Sequence, residues 1–274
     1  MNRQMFFGVV AWLAGMAAVA APITPAVLAD EKGANPDVGK LEAAKIPFEL
    51  DDDGQVVSVT LGSMQSPFSI PNLKLVAKIK TLKHIRSEAA FDQFSNEKLA
   101  AIGAIKSLET LQIDSGDFRG SDLKKLATLP KLATIHFVDS TIDDNGAKAL
   151  STFKSLTVLK LDGNQISDAG LKALCNLKDL TELNVHKNLE DRQAGRSQPI
   201  TDAGLSNLKS LKQLKRLNVA GNLITDAGLK TLSSLKTLEW LNVAETKVTA
   251  DGIAKIKQAL PECDVVNKSG LAKE

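Results

Sequence analysis

The sequence predicts an α/β solenoid, with short parallel strands on a concave face and short helices on the convex face. Three observations predict it. The string ITDAGL occurs at 200–205 and at 224–229, and ISDAGL stands at 166–171. A run of the form L-x-x-L-x-apolar starts at Leu108, Leu132, Leu156, Leu180, Leu214 and Leu238, at intervals of 24, 24, 24, 34 and 24 residues. Within each unit the apolar spacing passes from strand alternation to a helical face, and fixed-phase recurrence of such a unit is the mark of a stacked array.

The elements follow in chain order. Residues 1–29 hold one Arg, an apolar Ala-rich run from Met5 to Ala21, and Val27-Leu28-Ala29 before Asp30. This is the pattern of a secretory signal peptide, expected to be cleaved, with an uncleaved membrane anchor as the alternative. Pro22 and Pro25 shorten the run relative to a membrane span, so no stable membrane insertion is expected after cleavage. Residues 30–50 are expected to be a linker or N-terminal cap, 51–267 the repeat domain, and 268–274 a tail. Val57, Val59 and Leu61 alternate as a strand, and Leu73, Val76 and Ile79 mark a helix face. Phe94, Leu99, Ile102 and Ile105 keep the same order one unit later. Weak first repeats are expected, because an end repeat must cap the core with a polar outer side. At the far end, 256–268 predicts a last helix, a Pro stop and a final edge strand, for about nine strands in all.

One unit shows the physics. Leu159 and Leu161 alternate with Lys160 as a strand, and Asn164 turns the chain, as Asn188 and Asn222 would in their repeats. Gly116, Ser140 and Thr246 stand there elsewhere. Ser167, Thr201 and Thr225 are suited to cap helix N-termini, and the Asp after each favours the positive helix start. The Gly of DAGL is expected to let the helix start approach its neighbour's backbone. Leu171, Leu174 and Leu177 then line one helix face. The 34-residue interval contains ten extra residues, EDRQAGRSQP at 190–199. They are expected to form a surface loop that leaves the stack undisturbed, since loop-closure entropy grows slowly with length.

These residues resemble the leucine-rich repeat signature, and the I-T-D-A-G-L repeats are similar to those of secreted bacterial leucine-rich repeat proteins. Such repeats occur in planctomycete-like bacteria and in the cysteine-containing leucine-rich subfamily. The resemblance covers about four-fifths of the chain. It implies a curved solenoid that binds macromolecules on its concave face, without naming a ligand, because the motif itself is structural.

Composition narrows the partner. With 34 basic and 32 acidic residues the net charge is +2, which argues against nucleic acid. Aromatics are 4% with no Tyr, so a stacking platform is hard to assemble. On the concave face, Glu182, Arg216 and Trp240 form one column. His136, Lys160, Asn184, Asn218 and Asn242 lie in the next, and His186 lies in the third. Arg216 and Trp240 are residue types enriched at binding hot spots. The Asn run can bond a peptide or a glycan. Arg192 and Arg196 are candidate contacts from the inserted loop.

Neither catalysis nor a cofactor is expected. G-x-S-x-G, H-E-x-x-H and phosphate-loop motifs are absent from the sequence. His136 and His186 lie two strand steps apart, about 10 Å, with no third ligand at a supporting spacing, so no metal is expected. Cys175 and Cys263 are three strand steps apart, about 14 Å, beyond the roughly 7 Å Cα reach of a disulfide. They are expected not to pair. The expectation is thus an exported, non-enzymatic binding module for a protein or peptide, placed in the periplasm, at the cell surface or outside the cell. A ligand-free structural part of the cell envelope, or an effector acting on a host or cell partner, are the alternatives.

Overall fold

The computed structural model describes residues 35–63, 65–87, 94–118, 120–187 and 198–267. The signal-peptide segment, the tail at 268–274, Asn188, Arg192 and Arg196 lie outside the described residues.

The described chain from Pro36 onward builds one ten-stranded sheet in strict chain order. Helix α1 (Pro36–Ala43) leads into β1 (Phe48–Leu50) and β2 (Val56–Leu61). Strand β1 runs antiparallel to β2, and every later neighbour is parallel. The span read as a linker or cap therefore contains a helix and a strand that closes the first sheet edge. After it come α2 (Ile70–Val76), β3 (His84–Ser87), α3 (Asn96–Gly103) and β4 (Thr110–Asp114). A 3₁₀ helix at Gly120–Thr128 precedes β5 (Thr134–Val138), α4 (Asp144–Leu150), β6 (Val158–Lys160), α5 (Asp168–Leu174) and β7 (Glu182–Asn184). Beyond the insertion stand α6 (Asp202–Leu205) with a 3₁₀ turn to Ser210, β8 (Arg216–Asn218), α7 (Asp226–Leu232), β9 (Trp240–Asn242), α8 (Ala250–Ala259) and β10 (Asp264–Val266).

Strand alternation places Leu159, Leu183, Leu217 and Leu241 in the core at 0% exposure, while their neighbours on either side face outward. The helix leucines of the same repeats bury against them in one continuous core. Each fully buried leucine contributes about 1.5–3 kcal/mol from apolar transfer, so the repeated leucines hold the stack together.

The I-T-D-A-G-L string is a joint between repeats. Ser167, Thr201 and Thr225 cap their helices, accepting from the backbone N–H of Ala169, Ala203 and Ala227 at 3.2 Å. The aspartate after each cap turns to the next repeat. Asp202 Oδ1 accepts from Thr225 N at 2.8 Å, and its Oδ2 accepts from Thr225 Oγ1 at 2.5 Å. Asp144 holds Ser167, Asp168 holds Thr201, and Asp226 holds Thr249 in the same way. The glycines leave room for these carboxylates. A Cβ at Gly204, Gly228 or Gly252 would stand 2.1 Å from the Oδ1 of Asp168, Asp202 or Asp226. The close approach expected of these glycines is made first to a side chain, and at Gly228 also to backbone, with Asp202 Cα 3.2 Å from a Cβ. The ladder ends where the order reverses to Thr249-Ala250-Asp251-Gly252. Ala250 offers nothing to a further repeat, and Asp251 pairs with Lys255 at 2.6 Å instead.

On the turn after the strands, Asn164 Oδ1 accepts from Ile142 N at 3.0 Å and its amide donates to the Phe137 carbonyl. Asn222 joins Ile200 N at 2.9 Å to the Val185 carbonyl at 2.9 Å. Those two residues flank the insertion, so one side chain closes its base. The first repeats lack this Asn. There Phe68, Phe94, Phe118 and Phe137 form a chain of ring contacts at 4.6–4.8 Å between centroids. Gly116, in the Asn position, gives its volume to Phe118, whose ring would lie 2.5 Å from a Cβ.

Candidate functional site

The parallel register carries the outward residues into straight columns. Strand pairing aligns Val158, Glu182, Arg216 and Trp240 in one, and Lys160, Asn184, Asn218 and Asn242 in the next. His136 precedes Lys160 in the second column, and Gln112 precedes His136. His186 lies past β7, two residues beyond Asn184.

Four of these side chains form a contiguous row. Lys160 Nζ lies 3.1 Å from Glu182 Oε1, and Arg216 Nε lies 4.0 Å from Glu182 Oε2. The Arg216 guanidinium sits 4.7 Å from the centre of the Trp240 ring. Glu182 is 25% exposed and Arg216 48%. Ion pairs this open contribute little stability. Their effect is to hold long side chains in one arrangement, which lowers the entropy lost when something binds there.

The asparagines present donors. Asn184, Asn218 and Asn242 each accept, through Oδ1, the backbone N–H two residues on, at 3.0–3.1 Å. Each oxygen is thus used locally and the amide NH₂ remains to donate. In Asn184 it donates to Asp162. With Arg86, Gln112, His136 and Lys160, the second column is rich in donor groups, of which Gln112 is turned to Asp114 at 3.5 Å and Lys160 to Glu182 at 3.1 Å. Arg86 was missed in the sequence because its repeat is 26 residues long; counting back 26 from Gln112 finds it. The orientation of the Asn amides had no sequence signal, because it depends on backbone turn geometry.

Electrostatics at the upper end of the columns follows burial. His136 is pushed down to about 4, first by burial and then by the cations Lys160 and Arg86, so it is a neutral imidazole. Asp162 is raised by burial, against the pull of His186 and the Asn184 hydrogen bond. Asp114 is also raised by burial, with the charges of Asp139 and Asp162 adding to the rise, and its Oδ1 is buried without a hydrogen bond. Among the described residues no group of three His, Cys, Asp or Glu side chains can hold a metal ion. Cys175 and Cys263 are free, buried thiols, each pushed up to about 11 by burial.

The fold and its repeated joints define a leucine-rich repeat solenoid. The leucine-rich repeat family pattern matches residues 154–175 and 211–233, so the chain carries leucine-rich repeats. Among solved structures it is similar to an internalin from Listeria monocytogenes, at 20% identity and a TM-score of 0.50, over 72% of this chain and 57% of that one. It is also similar to the ectodomain of the Arabidopsis receptor kinase HAESA in complex with an N-terminally extended IDA peptide hormone. There the identity is 18% and the TM-score 0.55, over 80% and 35% of the two chains. A TLR13–ssRNA13 complex matches at 18% and 0.51, over 78% and 29%. The chain therefore spans between about a third and three-fifths of these proteins, and the likeness is one of fold. No curated protein matches the chain by sequence. No helix among the described residues is long and apolar enough to cross a membrane.

Proposed function

We propose that this protein is an exported binding module that takes a protein or peptide partner on the concave, outward side of its sheet. The observation that carries the reading is the row Lys160–Glu182–Arg216–Trp240, held in register by four parallel strands. These side chains point away from the core, so the fold does not require them. An aromatic ring backed by a guanidinium is the kind of anchor that dominates interfaces. The adjoining donors Asn218 and Asn242 suit the carbonyls of an extended chain.

The solved structures give support by analogy, since the HAESA ectodomain is described in complex with a peptide hormone. Export rests on the charged, apolar and small-residue order of residues 1–29. Alanine at Trp240 or at Arg216 is expected to weaken partner binding by at least about 2 kcal/mol, the hot-spot range, with thermal stability nearly unchanged. Unchanged affinity in both variants removes this surface as the binding site.

A further inference from the structure

A second pattern lies away from the strand face, on the returns from each helix to the next strand. Lys80, Lys106, Lys154, Lys178, Lys212 and Lys236 each stand four residues before the residue that opens β3, β4, β6, β7, β8 or β9. Strand pairing puts them in one line, interrupted only by Pro130 in the return to β5, where Lys131 follows. All six are exposed. Neighbouring strands are about 4.8 Å apart, so lysines on adjacent returns are spaced within one Debye length of about 8 Å, while Lys106 and Lys154, on either side of the Pro130 return, stand two strand steps apart.

Lys106, Lys154, Lys178 and Lys236 are held by backbone carbonyls. Lys106 Nζ donates to the Gly103 carbonyl at 2.8 Å and to the Thr128 carbonyl of the next repeat at 3.2 Å. Lys154 reaches the Ser151 and Asn176 carbonyls at 3.3 and 3.4 Å. Lys178 reaches the Cys175 carbonyl at 2.7 Å, and Lys236 that of Ala259 at 3.0 Å. Carbonyls at helix C-termini attract cations, and this fixes the ammonium groups of Lys106, Lys154, Lys178 and Lys236 on the rim without cancelling their charge. The opposite rim carries the aspartate ladder Asp144, Asp168, Asp202 and Asp226. A net charge of +2 therefore conceals one basic and one acidic rim. Glu109, Asp179 and Glu239 share the basic rim, and Glu239 is paired with Lys215 at 2.8 Å.

We infer that this lysine rim docks a linear polysaccharide bearing one carboxylate per sugar. The charge line advances once per strand, as such a polymer advances once per ring. The cations are lysines, point charges suited to single carboxylates, whereas phosphate is better gripped by the forked guanidinium of Arg. Bases would need aromatic platforms, but Phe68, Phe94, Phe118, Phe137 and Phe153 are core residues and Trp240 lies on the strand face. A bilayer would need apolar side chains to insert, and the one exposed large hydrophobic among the described residues is Leu50 on β1. Between Lys80 and Lys106 the rim also dips into an open hollow of about 210 Å³, lined by Ala77, Ile79, Ala104, Ile105 and Ser107.

The test is binding of the full chain to polygalacturonate across a salt series. The expected result is measurable affinity that falls with salt. The combined Lys154→Gln, Lys178→Gln, Lys212→Gln and Lys236→Gln variant should flatten the log–log salt slope by roughly three, on the scale of about 0.7 per lysine for a single-stranded polyanion. The same four changed to Arg should keep the binding. This separates lost charge from lost helix capping, and circular dichroism confirms that both variants fold. Gln at Lys148, Lys172, Lys230 and Lys257 removes equal charge from the helix faces and should leave the slope nearly intact. Trp240→Ala should also leave it intact, since the rim does not depend on the strand-face site. The inference is overturned if polygalacturonate does not bind, or if the helix-face variant loses as much as the rim variant. Equal or tighter binding of single-stranded DNA or of phosphatidylserine vesicles overturns it too.

Discussion

Gly228 sits in a helix start with no unusual backbone angle, yet it tolerates no side chain. A methyl group there would press on Asp202 Oδ1 and break the two hydrogen bonds that tie Asp202 to Thr225. Gly228→Ala is expected to destabilise the protein by about 1–3 kcal/mol, the range for overpacking. Gly39→Ala, with nothing within 4 Å of the added atom, should change stability by less than about 1 kcal/mol. In the Asp202→Ala background the Gly228→Ala penalty should shrink; additive penalties in denaturant unfolding would contradict the joint. The sequence shows Thr, Asp and Gly recurring together, and local rules account for Thr as a cap. It does not show where the carboxylate goes, because that partner lies 23 or 33 residues away.

His136 gives a second prediction at this scale. Its folded pKa of about 4 lies below the usual 6.5, so the unfolded chain binds more protons between those values. Its contribution to stability is fully present above pH 6.5 and is lost as pH falls towards 4. The full swing is of order 3 kcal/mol. His136→Gln should flatten the acid side of the stability profile, and NMR titration should find no imidazole protonation at His136 above pH 5. Asp114 and Asp162 act in the opposite sense. Burial raises their carboxyls, so their contribution weakens as pH rises through the carboxylate range.

Among the elements, the insertion is the clearest case of a break that the fold absorbs. Thr201 still meets Asp168, and Ile200 still meets Asn222, as their counterparts do in 24-residue repeats. Deleting 190–199 would reduce the 34-residue interval to 24 and leave Asn188-Leu189-Ile200, the same order as Asn222-Leu223-Ile224. The melting temperature is expected to stay within a few degrees, because loop length contributes only about 0.6 kcal/mol per doubling. Asn222→Ala should instead cost several kcal/mol, since it leaves buried backbone groups on both flanks unpaired. Strands and most helices were legible from apolar spacing alone. The 3₁₀ form of Gly120–Thr128 was not, because spacing marks a helical face without fixing its hydrogen-bond pattern. Strand β1 was also missed, since Phe-Glu-Leu is too short to show a period.

For the described molecule, aligned helices have a consequence that no single repeat reveals. From α4 onward every helix start carries an Asp to one rim, and most returns carry Lys to the other, so stacking turns a local preference into two lines of opposite charge. The sequence-wide balance of 34 to 32 averages this away. The strand-face columns were legible because 24-residue periodicity fixes register. The contacts within them were not, since Glu182 bridging Lys160 and Arg216 depends on side-chain reach across strands. Binding is assigned here to that strand face. The most direct measurement is photo-crosslinking from a reactive residue placed at Asn218, between Arg216 and the third column, compared with one at Lys172 on the exposed side of α5. The partner is expected to be captured from position 218, capture to be lost with Trp240→Ala, and position 172 to capture nothing. Capture from position 172 alone would contradict that assignment.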